Sequence, residues 1–383
     1  MSVAGGAAWR VSHQRRIEYD LVKAPDLFDP GNPALLSIGR VRDGRRFVVV
    51  DEQIARHHGQ RIDAYFAAHG ISARIVRFAG GEASKTADAW LDLVRNLDAF
   101  PIHRRDEPII AIGGGVLTDV VGFVAGSYRR SVPHIKVPTT LMGYVDASVG
   151  IKTGINFNDN KNRLGSFEPP CRVLLDHTLL RTLPRRHLLN GVCEIIKLAV
   201  IRDVALFMQL EACGAASVAA AFQDAAGGEI LDRAIAGMLE ELQPNLFEDE
   251  LERRVDFGHT FSYGLEARHG EHLLHGEAVL LDILVSCLVA RARGLLSAAE
   301  TARIFGLVER LGIEPDFALL DVDLVWHSLL DRVEHRNGLQ RVPLPRGLGA
   351  CVFANDINRQ EVASAITALN QGMAAANDRN DQH

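Results

Sequence analysis

The chain has 383 residues, more than one core ordinarily serves, with 47% hydrophobic and 23% charged residues, so two closely docked domains of a globular protein are expected. Its net charge of -6 is spread without a basic stripe, which argues against nucleic acid as a partner. The five cysteines form no CxxC pair, and neither an apolar leader core nor a run of about 18 uncharged apolar residues is legible, so a cytoplasmic protein that does not span a membrane is expected.

From about residue 34 to residue 180, short β-branched runs alternate with helical patterns, as βαβ units around a parallel sheet do. RRFVVVDE at 45–52, ARIVRF at 73–78, EPIIAIGGG at 107–115 and HIKVPTT at 134–140 read as strands; IARHHGQRIDAYFAAHG and ADAWLDLVRNLDAF read as helices between them. After RTLPRRHL the texture changes to long amphipathic patterns around 187–212, 227–245, 276–293 and 297–311. The expected organisation is α/β: a Rossmann-like domain over 1–183, a mostly helical domain over 184–371, and a flexible polar tail over 372–383.

Strand PIIAI runs into Gly113, Gly114 and Gly115, and VLTDVVGFVAG then reads as a helix, so backbone amides converge where a pyrophosphate could lie. On pattern alone such a cluster is equally a tight structural turn. Asp51 ends RRFVVVD, where a carboxylate either accepts from a ribose diol or caps the next helix. Gly80 to Lys85 offers a second turn, with a cation.

VDFGHTFSYGLE and LLHGEAV contribute His259 and His275, and GVCEIIKLAV contributes Glu194. Two imidazoles and a carboxylate leave a position open on a divalent ion, the arrangement of a catalytic metal site. The plain alternatives are satisfied histidines and an i,i+3 ion pair between Glu194 and Lys197. A carboxylate inside an apolar helix nonetheless needs a strong partner, which a metal supplies.

GGGVLTDVVGFVAGSYRR, VPTTLMGYVDASVGIKTGIN, NKNRLG, LPRRHLLNGVCEIIK, DFGHTFS and LLHGEAV, in this order over roughly 40–345, resemble the dehydroquinate synthase superfamily of sugar phosphate cyclases. The resemblance implies NAD on the N-terminal domain, Zn2+ or Co2+ in the cleft, a sugar phosphate substrate and a homodimer. It places the metal ligands on Glu194, His259 and His275, in line with the choice made from residue chemistry. It puts cofactor contacts on Asp51, Glu82, Lys85, Gly114, Gly115, Val116, Asp119, Thr139, Thr140, Lys161 and Thr182. Asp146, Lys152, Asn162 and Lys197 match substrate-site residues, and Arg130 matches an arginine that reaches the phosphate in the neighbouring subunit's site. The implied activity is transient oxidation by NAD, β-elimination of phosphate, re-reduction and intramolecular aldol closure.

Substrate choice is read from two loops. Dehydroquinate synthases hold a carboxylate with Lys and Arg there; this chain has MLEELQPNLFEDELE, with no cation from Met238 through Glu252, and VEHRNGLQRVPLP, with Glu334 and His335. Both cationic clamps are therefore expected to be gone, favouring the neutral end of sedoheptulose 7-phosphate. Leu242, Asp256 and His335 resemble the trio of valiolone-type members, so 2-epi-5-epi-valiolone is the expected product. The alternatives are 2-epi-valiolone, desmethyl-4-deoxygadusol or 3-dehydroquinate as product, or a metal-dependent alcohol dehydrogenase. Asp256 would otherwise cap the following helix, and Tyr263 stands where dehydroquinate synthases carry a second histidine.

Overall fold

The computed structural model describes residues 9–41, 43–158, 160–270 and 272–380, with side chains up to residue 372. The expected tail beyond 372 lies, for its side chains, outside the described residues. The chain runs through β1 (Asp20–Lys23), β2 (Arg45–Asp51), α1 (Glu52–Ala68), β3 (Ser72–Phe78), α2 (Ala87–Asp98), β4 (Ile109–Gly113), α3 (Gly115–Ser127) and β5 (His134–Pro138). An antiparallel hairpin of β6 (Lys152–Phe157) and β7 (Asn160–Phe167) follows, then β8 (Arg172–Leu175). Every pairing in the main sheet is parallel, and its strand order is β1-β8-β5-β4-β2-β3.

Period-two alternation sends Val48 and Val50 to the face covered by Ile54, Ile62, Tyr65 and Phe66 of α1. Phe47 and Val49 go to the face covered by Leu93 and Leu97 of α2 and by α3. Because helices cover both faces, the central strands β2, β4 and β5 read as near-continuous apolar runs, while β3 at the edge shows in the sequence by its β-branched residues. β1 and β8 lie outside those four runs: DLVK and RVLL are only 4 residues each. The order reverses between β2 and β4, so Asp51 and Gly113, the last residues of those strands, flank the crevice where open parallel sheets take ligands.

Helices follow: α4 (Arg185–Ile201), α5 (Val204–Ala219), α6 (Ala225–Leu242), α7 (Ser262–His269), α8 (His275–Ala292), α9 (Ala298–Arg310), α10 (Val322–His335) and α11 (Arg359–Asn380). A two-stranded ribbon, β9 (Val342–Pro345) with β10 (Cys351–Ala354), interrupts them. The pattern read across 187–212 is two helices, because Asp203 caps α5 by accepting from the amides of Ala205 and Leu206. α4 and α8 form the centre, and α4 is buried on every side from Gly191 through Ile201. No helix among the described residues is long and apolar enough to cross a membrane.

Arg46 and Lys136 are buried on strands of the N-terminal sheet. Arg46 donates to the carbonyls of Arg45 and Ile38, and Lys136 donates from Nζ to the Gly150 carbonyl at 3.0 Å. Burial, only partly offset by Asp119, pulls the Lys136 ammonium down to about 8. Its folded value lies below the unfolded one, so charged Lys136 costs stability below pH 8, and that cost fades as pH rises toward the unfolded value. Lys136→Met is therefore expected to raise the melting temperature at pH 7, with the gain shrinking between pH 8 and 10. A pH-independent difference in thermal scans would refute this.

Candidate active site

Glu194 sits in the middle of α4, His259 in the turn before α7, and His275 is the first residue of α8. Backbone fit brings them together. Gly276 lets α8 approach α4 so closely that a Cβ there would lie 2.0 Å from the Asn190 carbonyl oxygen, and the Asn190 side chain accepts from the Gly276 amide at 2.6 Å. Gly258, at φ +79°, turns the chain against Val279 and Ile283 of α8 just before His259. Asp282 accepts from the amides of Thr260, Phe261 and Ser262, holding the start of α7 against α8.

Glu194 Oε1 lies 3.5 Å from His275 Nε2 and 3.8 Å from His259 Nε2, and one donor atom from each of the three falls within 4.8 Å of the others. Ligands about 2.0–2.1 Å from a tetrahedral zinc are themselves about 3.3 Å apart, so the set is near ion-binding spacing. Oε1 of Glu194 is buried without a hydrogen-bond partner, a costly state that an ion relieves. The donor set fits a divalent ion such as zinc. The i,i+3 pair is also present: Glu194 Oε2 meets the ammonium of Lys197.

The surroundings prepare the imidazoles. His259 Nδ1 faces the Phe257 carbonyl at 3.2 Å and His275 Nδ1 faces Glu266 Oε1 at 3.1 Å, so each ring donates outward and turns Nε2 to the cluster. Burial, reinforced by Lys197, lowers His259 to about 3 and keeps it neutral. Burial also works against a charge on His275, but Glu266 and Glu194 on either side raise it well above its ordinary value. Burial would lift the Glu194 carboxyl, yet Lys197 and the imidazoles hold it below the carboxylate range. Asp146, on the π-helical turn Gly143–Ala147, is pushed up by burial and by the charge of Glu194.

The glycine turn forms the second half of the site. Gly114 starts α3 with no side-chain cap, leaving first-turn amides at Gly115 and Val116 open to the crevice. Thr139 donates its amide to the Gly113 carbonyl at 3.0 Å, and Thr140 Oγ1 accepts from the Gly143 amide at 3.1 Å. Asp51 does cap α1 through Oδ1, while its Oδ2 lies 2.3 Å from where a Cβ on Gly80 would be. Cap and crevice wall are thus one residue. Lys85 is buried and donates to Asp119 at 2.7 Å and to Asn162 Oδ1; the Asn162 amide donates to Asn156, whose side chain donates to Glu82 at 2.7 Å. Thr182 is exposed, with its hydroxyl turned back onto the Leu179 carbonyl at 3.2 Å.

Asp256 and His335 line one cavity of about 160 Å3 with Glu248, Leu251, Arg253, Arg332 and Arg336. Asp256 does not cap α7. It pairs instead with Arg253 at 2.6 Å and Arg336 at 3.3 Å, which hold its carboxyl low against the upward push of burial. Cations nonetheless reach this cavity: Arg253 lies one residue past the acidic stretch, and Arg332 and Arg336 come from the end of α10 and the residue after it. These guanidiniums are already matched: Arg253 also meets Glu248, and Arg332 lies 4.4 Å from the Tyr263 ring centroid. Lys152 projects from the start of β6 and pairs with Glu248 at 2.6 Å.

The sequence model for the 3-dehydroquinate synthase N-terminal region matches residues 75–190, and that for the C-terminal region matches 191–333. The chain belongs to the 3-dehydroquinate synthase family. Within the family it is similar to the 2-epi-5-epi-valiolone synthase of Streptomyces albus, 46% identical over 94% of this chain and 90% of that one. It is also similar to the enzyme of the same name from Streptomyces hygroscopicus subsp. jinggangensis, 43% identical over 95% of this chain and 90% of that one. ValA, the 2-epi-5-epi-valiolone synthase from Streptomyces hygroscopicus subsp. jinggangensis 5008, solved with NAD+ and Zn2+ bound, matches with a TM-score of 0.91 at 42% identity, over 95% of this chain and 99% of that one.

Against this family background, the contacts group most of the residues singled out in the sequence around the glycine turn, the Glu194 cluster and the Asp256 cavity. Arg130 is the exception. It sits exposed in the loop after α3, at the opposite end of a 13-residue helix from Gly114, about 20 Å away along the axis. Sequence reasoning missed Glu248, Glu266 and Arg253. Glu266 had a signal, an acidic residue three before the end of the short helix SYGLEARH, but nothing in spacing tied it to His275.

Proposed function

We propose that this chain cyclises sedoheptulose 7-phosphate to 2-epi-5-epi-valiolone with release of inorganic phosphate, as a homodimer in the cytoplasm. The carrying observation is the close structural and sequence likeness to ValA, combined with a donor set and a glycine crevice suited to the two groups that ValA binds. The division near residue 183, with the cofactor on the first part and the metal on the second, belongs to the same reading. Five free cysteines fit a reducing compartment.

Glu194, His259 and His275 would hold the ion, zinc or cobalt, and Asp51, Glu82, Lys85, Gly114, Gly115, Val116, Asp119, Thr139, Thr140, Lys161 and Thr182 would surround NAD. When bound, these groups supply a reversible hydride acceptor and a Lewis acid, so that no net oxidation results. Lys197 holds a proton on Nζ between Glu194 and Asp146, where it can donate to a substrate hydroxyl. Lys152 and Asn162 offer charged and amide donors to the departing phosphate. Arg130 lies at the end of α3 remote from its own crevice and would complete that of a second copy. Asp256 and His335, set beside Arg253 and Arg336 that are already paired to carboxylates, suit hydroxyls better than a carboxylate.

Incubation with sedoheptulose 7-phosphate, NAD+ and Zn2+ or Co2+ should release phosphate in step with a carbocycle, without NADH accumulating, and NMR should show the 2-epi-5-epi-valiolone configuration. Activity only on the carboxylate-bearing heptulosonate phosphate would overturn the substrate. Net NADH formation would favour an alcohol dehydrogenase, and another configuration would favour 2-epi-valiolone or desmethyl-4-deoxygadusol.

A further inference from the structure

Glu266 does more than orient the His275 ring: it is buried at 4% exposure with both oxygens engaged. Oε1 faces His275 Nδ1 at 3.1 Å, and Oε2 accepts from Lys161 Nζ at 2.8 Å. Lys161 lies on β7 of the hairpin, and the next residue, Asn162, receives Lys85 on its side chain and contacts Asn156 through its amide. Through Asn156 the connection continues to Glu82. A connection of polar contacts, carried across the hairpin by the peptide link between Lys161 and Asn162, therefore runs from a metal-cluster histidine, through one buried carboxylate, to the residues around the glycine crevice. The anchoring at its other end is firm, because α7, which carries Glu266, is tied to α8 by the three amides that Asp282 accepts.

We propose that Glu266 is a positioning residue that couples the metal cluster to the dinucleotide crevice, so that each ligand binds more tightly when the other is present; this rests on the NAD and metal reading above. The physical reason has two parts. The Oε1 contact fixes the proton of His275 on Nδ1 and so presents Nε2 to the ion, and such outer partners are worth about 10–100-fold in metal affinity. The Oε2 contact keeps the carboxylate paired only while the hairpin holds Lys161 in place, and an occupied crevice restricts that hairpin. An ammonium has three donors, so Lys161 can serve Glu266 and a cofactor oxygen together. Linkage makes the effect reciprocal.

The test is zinc binding by the full-length metal-free chain against a competing chelator, with and without saturating NAD+, together with NAD+ binding with and without zinc. Wild type should bind zinc about fivefold or more tightly with NAD+ present, with the same factor in the reverse experiment. Glu266→Gln should weaken zinc about 10–100-fold and bring the coupling factor to one. Lys161→Met should also abolish the coupling while costing less zinc affinity, and Lys161→Arg should restore it. Lys161 is partly exposed, so its variants keep the test valid if Glu266→Gln fails to fold. Wild type that binds both ligands without coupling, or variants that retain it, would overturn the inference alone; wild type that binds neither would overturn the functional reading with it.

Discussion

Glu194→Gln is expected to eliminate zinc binding and turnover and to destabilise the fold, whereas His275→Ala should eliminate the first two and leave the fold nearly intact. The difference follows from burial. Glu194 is fully buried and faces the ammonium of Lys197, itself 1% exposed, so a neutral amide leaves an uncompensated cation in the core, at a cost of about 3–5 kcal/mol. Asp146, near enough to raise Lys197, would relieve part of that cost. His275 has a side chain 35% exposed at the start of α8, and truncating it removes a ligand without opening the core. Both should lose about a thousandfold or more in turnover, since several kcal/mol of charge stabilisation go with the ion. Metal content by elemental analysis, with thermal unfolding of the metal-free proteins, separates the two cases. Equal melting temperatures would show that Lys197 is satisfied without Glu194.

Gly114→Val should lower NAD+ affinity by about a hundredfold while changing the melting temperature little, and Gly114→Ala should cost about tenfold or less. Gly114 has φ -77°, which any residue adopts, so its requirement is space. A Cβ would lie 3.0 Å from Thr140 Cγ2, tight but tolerable if that methyl shifts slightly. The two further methyls of valine would fill the crevice that backbone amides must line if a pyrophosphate is to reach them. Calorimetric binding of NAD+ to the three proteins checks this. Undiminished affinity in the valine variant would move the cofactor away from this turn.

The framework was legible because its signals are local. Four strands read as β-branched runs, and the helices as amphipathic patterns, although the cap at Asp203 that divides one of those patterns was passed over. The metal trio was legible for a different reason: a carboxylate in the apolar run GVCEIIKLAV calls for a partner of opposite charge. What stayed hidden depends on contacts between distant segments. Glu266 meets Lys161 across 105 residues, and Arg336 meets Asp256 across 80, so no window of sequence contains either pair. The cations around Asp256 stayed hidden on this account. The run from Met238 to Glu252 does lack them, but α10 supplies what its neighbourhood omits.

The cavity around Asp256 is built from a loop and the end of α10, whereas Glu194 and His275 ride on two helices locked together at Gly276. Side chains at positions 248, 253 and 335 can therefore change in evolution, or in the laboratory, while the interlocked pair stays as it is. A lineage with this layout can try new sugars one rim residue at a time and retain its redox chemistry throughout.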